Sequence, residues 1–80
     1  MDREEIYKRL NEVFREDFDR DDISLNDETT AADVEGWDSL SHINLMDAVE
    51  EEFDIRLDMK TVVKMKNVGE MVDAIEKDKK

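Results

Sequence analysis

The sequence predicts a single all-α domain: a four-helix bundle with three main helices, one short helix and a long first loop. Three observations carry that prediction. Apolar residues recur at helical spacing in three well-separated stretches and, more briefly, in a fourth. Helix-capping residues, Asp38, Asp58 and Asn67 with Glu70, stand directly before the later stretches. The length, 80 residues, suits one domain near the lower size at which a single core suffices without covalent staples.

The first helix is expected over residues 3–16, where Ile6, Leu10, Val13 and Phe14 share a face and Tyr7 sits at its edge. Asp2, Glu4 and Glu5 suit the positive end of the helix dipole, and Glu4 with Lys8 and Glu5 with Arg9 are spaced to pair one turn apart. From Asp17 to Asp38 the helical period is lost and turn-prone residues dominate, with Phe18, Ile23, Leu25 and Val34 as the expected anchors to the core. Thr30 and Asp33 have the spacing of a capping box, which predicts a short helical turn at residues 31–35. Long loops are uncommon in compact domains and often serve function. This one is expected to cross the molecule and deliver Ser39 to an exposed end.

The second helix is expected from Ser39 to Phe53. Asp38 is its N-cap, Gly36 supplies backbone freedom before the cap, and Trp37 supplies an apolar anchor. His42, Leu45, Met46, Val49 and Phe53 follow the spacing of a core face. Leu40 and Ile43 lie off that face beside Asn44, Asp47, Glu50 and Glu51, so two apolar residues are expected within an acidic surface. Such a patch suits docking, apolar contact giving affinity and charge steering the approach.

Beyond Phe53, Ile55 and Leu57 alternate with polar residues as in an extended connector. Asp58 caps a short helix in which Met59, Val62 and Val63 share a face, and the β-branched run Thr61-Val62-Val63 makes this element short and the least stable. The last helix carries Val68, Met71, Val72 and Ile75 in one stripe, with Gly69 weakening its first turn. Lys77, Lys79 and Lys80 suit the negative end of its dipole, and the ordered core is expected over about residues 3–77 of the single domain 1–80.

Composition excludes several classes of function. The charged share is 45% and the hydrophobic share 39%, against typical values of about 25% and about 45 to 50%. Without cysteine there is no disulfide framework, zinc-thiolate site or cysteine nucleophile. No apolar run approaches the roughly 18 residues of a spanning helix and no signal-peptide pattern is present, so a cytoplasmic protein without membrane insertion is expected. A net charge of −12 opposes binding to nucleic acid or anionic membranes and favours basic partners. In the first third, solubility is an equally good reason for the charge.

Gly36-Trp37-Asp38-Ser39-Leu40 is where these features converge, because the cap turns the Ser39 hydroxyl outward on a firm base. Together with Ser41-His42-Ile43-Asn44-Leu45 and the later Glu50-Glu51-Glu52-Phe53, it resembles the phosphopantetheine attachment region of acyl carrier proteins, a resemblance that covers roughly residues 3–77. The resemblance implies a carrier and not an enzyme. It implies that Ser39, within its motif Asp38 and Leu40, is esterified by the 4′-phosphopantetheine of coenzyme A, whose thiol holds acyl groups as thioesters. The implied partners are a phosphopantetheinyl transferase, which uses magnesium, and an acyl-loading ligase, synthase or acyltransferase with a basic docking surface. They would meet Leu40, Ile43, Asn44, Asp47, Glu50 and Glu51 of a monomeric carrier. By position, an acyl pocket would involve Met46, Val49, Met59, Val62 and Val63; Met46, Met59, Met65 and Met71 are inward-facing residues able to adapt to a guest. Many members are more acidic early in this helix. The neutral Ser41 and Asn44 therefore point toward a dedicated lipid, polyketide or surface-polysaccharide pathway over housekeeping fatty acid synthesis.

The residues admit three other readings. An aminoacyl or peptidyl carrier uses the same fold. Asp17, Asp19, Asp21 and Glu28 fall at positions 1, 3, 5 and 12 of a calcium-binding EF-hand loop, but Asp22 stands where that loop needs glycine, Ser24 stands at its apolar position, and no amphipathic helix follows Glu28. Ser39, His42 and Asp38 invite a hydrolase triad, which needs an oxyanion hole and a cleft that a chain of this size has little room for. His42 is instead expected at the edge of the core with its ring hydrogen-bonded.

Overall fold

Asp2 starts the first helix by accepting the Glu5 N–H on its carboxylate at 2.8 Å. In the computed structural model, which describes residues 2–78, this helix, α1, runs Arg3–Asp17, one residue beyond the expected end. A turn of 3-10 helix follows at Ala31–Asp33, then α2 at Ser39–Phe53, α3 at Met59–Lys64 and α4 at Val68–Asp78. Among the described residues there is no strand. Lys79 and Lys80, expected to extend the basic end of the last helix, lie outside the described residues. Among the described residues no helix is long and apolar enough to cross a membrane.

The stripes meet as the patterning requires. Ile6, Leu10 and Phe14 of α1, Leu45, Met46, Val49 and Phe53 of α2, and Val68, Met71, Val72 and Ile75 of α4 form one buried core. Exposed Leu40 and Ile43 lie outside it, as expected. Burial of this apolar set supplies the main drive for folding, because little else offsets the entropy of ordering so polar a chain.

The long connector is held by α1 as well as by its own apolar anchors. Ile23, Leu25 and Val34 are buried, and Phe18 packs partly buried against the core. Asn11 Oδ1 accepts the Leu25 N–H at 2.8 Å, and Arg15 Nε donates to the Ile23 carbonyl at 2.8 Å. Side chains of α1 thus satisfy backbone groups that a loop cannot pair within itself. The Thr30–Asp33 capping box forms, and the helical turn it starts is two residues shorter than expected. Further along, the Asp27 and Thr29 carbonyls accept the Gly69 and Val68 N–H groups at 3.0 and 2.8 Å, so the loop caps α4 together with Asn67 Oδ1.

The short helix corrects one expectation. Val62 is buried, but Met59 and Val63, expected on the same inward face, are 60% and 66% exposed. A six-residue helix makes its contact through one side chain. Val63 is a further 100° round the axis, and Met59 occupies the first helical position, where the side chain leans back beyond the packed turn. Of the four methionines expected to face inward, Met46 and Met71 are buried and Met65 is half-buried.

Candidate functional site: the turn before the second helix and its cleft

Two buried residues, Val34 and Trp37, clamp the turn that precedes α2. Gly36 lies between them at φ +92°, a conformation open to glycine and strained for other residues. Phe14 meets the Trp37 ring edge-on, with centroids 5.1 Å apart at 86°, which ties the turn to α1.

Asp38 and Ser41 then close a reciprocal cap. Asp38 Oδ1 accepts the Leu40 and Ser41 N–H groups at 3.1 and 2.9 Å. Ser41 Oγ accepts the Asp38 N–H at 2.7 Å and donates to the Gly36 carbonyl at 2.8 Å. The Ser41 N–H, foremost among these donors, holds the Asp38 carboxyl below the usual carboxylate range. Ser39 is consequently the first residue of α2 and is exposed, beside Leu40 at 80% exposure. Sequence reasoning does not single out Ser41 as a structural residue; in the structure its side chain closes the cap. The capping-box spacing back to Asp38 was the signal that could have found it.

His42 is engaged away from Ser39. Trp37 Nε1–H donates to its Nδ1 at 3.1 Å, and its Nε2 lies 3.0 Å from the Val62 carbonyl. Asp38 is committed to the cap. The hydrolase reading is thereby overturned, since neither partner of a triad is directed at the serine, while the expected hydrogen-bonded ring at the core edge is present.

Beside Ser39 opens a cleft of about 350 Å³, walled by Trp37 and His42 on one side and by Val62, Val63 and Met65 on the other, with Asp38, Lys66 and Asn67 at its polar margin. Val62 and Val63 were expected near the cargo. Met46 and Val49 are sealed in the core instead, and Met59 stands outside it. Met65, expected to face inward, lines it as well, and Trp37 and Lys66 are additions that only the meeting of α2 with the α3–α4 link brings in. A wider depression of about 910 Å³ follows the connector from Arg20 to Glu35, away from Ser39, and is largely polar.

On the outer side of α2, Ile43, Asn44, Asp47 and Glu51 are exposed with Leu40. Glu50 is half-buried, and its Oε2 accepts the Leu57 N–H at 2.8 Å, pinning the connector to α3. It is a staple as well as a surface charge. The loop is not laid out as an EF-hand: Asp17 ends α1, Asp22 pairs with Arg20 at 3.0 Å, and Ile23 and Leu25 turn into the core. Among the described residues no three His, Asp or Glu side chains gather as a metal ion requires.

The small helical bundle thus sets an exposed serine at a helix start, next to a cleft. Comparison with known proteins gives the class of protein that is built this way. Residues 8–75 match the family described as "Phosphopantetheine attachment site". The chain is 32% identical over 75 residues to the acyl carrier protein of Thermotoga maritima, covering 94% of this chain and 93% of that one. To the mitochondrial acyl carrier protein of Saccharomyces cerevisiae it is 30% identical over 80 residues, covering 94% of this chain and 63% of that one. The solution NMR structure of a holo acyl carrier protein from Geobacter metallireducens superposes with a TM-score of 0.83 at 40% identity, covering 90% of this chain and 83% of that one. The chain belongs to the acyl carrier protein family, whose members carry phosphopantetheine, work with the enzymes of synthetic pathways, and are not themselves enzymes.

Proposed function

We propose that Ser39 is the residue that takes the phosphopantetheine arm and that the α2 surface beside it receives the enzymes that load and unload it. The observation that carries this reading is the position of Ser39, exposed at the first residue of a helix whose cap is locked from both sides. The arm supplies a terminal thiol on which acyl groups travel as thioesters. This chain's residues supply the rest. The Asp38–Ser41 cap fixes the backbone that presents the hydroxyl, and the cleft offers a tethered chain apolar walls in Val62, Val63 and Met65. Lys66, which lines the same cleft, would offer a positive charge to the phosphodiester of such an arm.

Leu40 and Ile43, ringed by Asn44, Asp47, Glu50 and Glu51, offer an apolar contact inside an acidic field. That arrangement suits a phosphopantetheinyl transferase and an acyl-loading ligase, synthase or acyltransferase that are basic where they dock. A net charge of −12 supports a monomer through mutual repulsion of copies, and the same reading keeps the cytoplasmic location expected from the sequence.

The test is attachment itself. Incubated with coenzyme A, magnesium and a broad-specificity transferase, the protein is expected to gain the mass of one phosphopantetheine, and Ser39→Ala to gain none. An unmodified native protein, or attachment that survives Ser39→Ala, overturns the assignment.

A further inference from the structure

We infer that His42 is a positioning residue: its neutral ring latches α3 to the turn that presents Ser39, and protonation of the ring releases α3 and widens the cleft. The hydrogen-bond roles follow from the partners. An indole N–H can only donate and a carbonyl can only accept, so His42 is bare at Nδ1, where Trp37 donates, and protonated at Nε2, where Val62 accepts. Only the neutral Nε2–H tautomer satisfies both ends.

The latch joins four elements. Phe14 of α1 supports Trp37, Trp37 stacks on His42 of α2 with centroids 5.8 Å apart at 30°, and His42 reaches Val62 of α3. On the far side the hold is slight, because α3 has six residues and buries Val62 alone. Among the described residues the His42–Val62 bond is the one hydrogen bond between an α2 side chain and α3. Beyond that bond, α3 is held by buried Val62 and, at its two flanks, by the Leu57 N–H on Glu50 and by half-buried Met65.

A doubly protonated ring donates from both nitrogens. Its Nδ1–H would then face the Trp37 Nε1–H, donor against donor, beside a buried indole. The charged groups around the ring do not offset this. Asp38, from the turn, already serves the Leu40 and Ser41 N–H groups, and Lys66, from the α3–α4 link, adds a like charge to the same cleft. Ala31 of the 3-10 turn and Asn67 complete the lining without charge. Trp37 and His42 form one wall and Val62 and Val63 the other, so loss of the latch changes the width of the space next to Ser39. That consequence for a tethered group rests on the Ser39 assignment; the latch does not.

The experiment uses ¹⁵N-labelled protein without the arm, in native and Ser39→Ala forms, so failure of the latch and failure of the attachment site are read separately. Imidazole ¹⁵N shifts in mildly alkaline solution are expected to show a protonated Nε2 and a bare Nδ1. On acidification from about pH 8 to pH 5, the Trp37 indole N–H and the amides of residues 62–65 are expected to move in step with the His42 ring signals. Their hydrogen exchange, corrected for its intrinsic pH dependence, is expected to quicken by about three- to tenfold, the range one hydrogen bond is worth. In His42→Phe, which keeps a stacking ring without nitrogens, exchange is expected to be fast at both pH values. The opposite tautomer in the native protein, signals that ignore the His42 titration, or native pH dependence retained in His42→Phe would each overturn the proposal.

Discussion

The backbones of Gly69 and Asp27 touch: the Gly69 N–H donates to the Asp27 carbonyl at 3.0 Å, and a Cβ on residue 69 would stand 2.8 Å from that oxygen. The long connector is thereby seated on the first turn of α4, with the neighbouring Val68 N–H held by Thr29. Helix propensity alone favours Gly69→Ala by about 1 kcal/mol. The close approach reverses the sign, since the loop backbone must move to admit a methyl group. Gly69→Ala is expected to destabilise by about 1–3 kcal/mol, read as a lower urea midpoint at constant slope. A higher midpoint would show that the loop yields freely.

The Asp38–Ser41 cap makes a second, paired prediction. Ser41→Ala removes the acceptor of the Asp38 N–H and is expected to cost about 1 kcal/mol, whereas Asn44→Ala, on the exposed face, is expected to stay within about 0.5 kcal/mol of the native protein. Because the folded protein holds the Asp38 carboxyl low, the stability it contributes is present above the unfolded carboxylate value, about 3.9, and is lost as pH falls through the lower folded value. Asparagine also caps but does not titrate. Asp38→Asn is therefore expected to flatten the acid limb of the stability curve while changing the neutral region little.

Tyr7, the one tyrosine in the chain, reports on a clasp that joins α1, the connector and α4. Its hydroxyl donates to Asp27 Oδ1, which also pairs with Arg3 at 2.9 Å; Arg3 reaches Asp73 at 2.8 Å and Glu76 at 2.5 Å. Burial first and the Asp27 hydrogen bond second push the phenol up to about 12. The raised value means that this contribution to stability is complete below the unfolded phenol range, about 10, and is lost as pH climbs through 12. Absorbance titration is expected to show little phenolate near pH 11 in folded protein. Asp27→Asn should lower the midpoint only in part, because burial remains; no change would exclude the clasp as a cause.

Charge reversal on α2 separates docking from folding. Asp47→Lys with Glu51→Lys alters exposed positions and is expected to slow transferase attachment several-fold, more so at low salt, with the urea midpoint nearly unchanged. Glu50→Ala instead strips the Leu57 N–H of its acceptor and is expected to lower stability by about 1 kcal/mol. Equal rates for the double reversal at low and high salt would remove steering by this surface.

The helices were legible because each is specified within its own few turns. Ile6 to Phe14, Leu45 to Phe53 and Val68 to Ile75 repeat at 3.6-residue spacing, and Asp38, Asp58 and Asn67 mark starts that the structure keeps within a residue. The exposed placement of Ser39, Leu40 and Ile43 followed from the same arithmetic. Less was legible where one residue serves two neighbours at once. Glu50 reads as surface charge and also pins Leu57; Ser41 reads as a neutral substitution and closes the cap.

The amino-acid order alone determined that four helices form, where they start, and that an acidic helix opens on an outward serine in an acyl-carrier-like motif, since periodicity and capping act between residues a few positions apart. Only the tertiary structure decided that Met59 and Val63 stay outside, that Gly69 must have no side chain, and that the nitrogens of His42 face Trp37 and Val62. Each of those outcomes depends on the group lying opposite, and what lies opposite is settled by how the helices pack together.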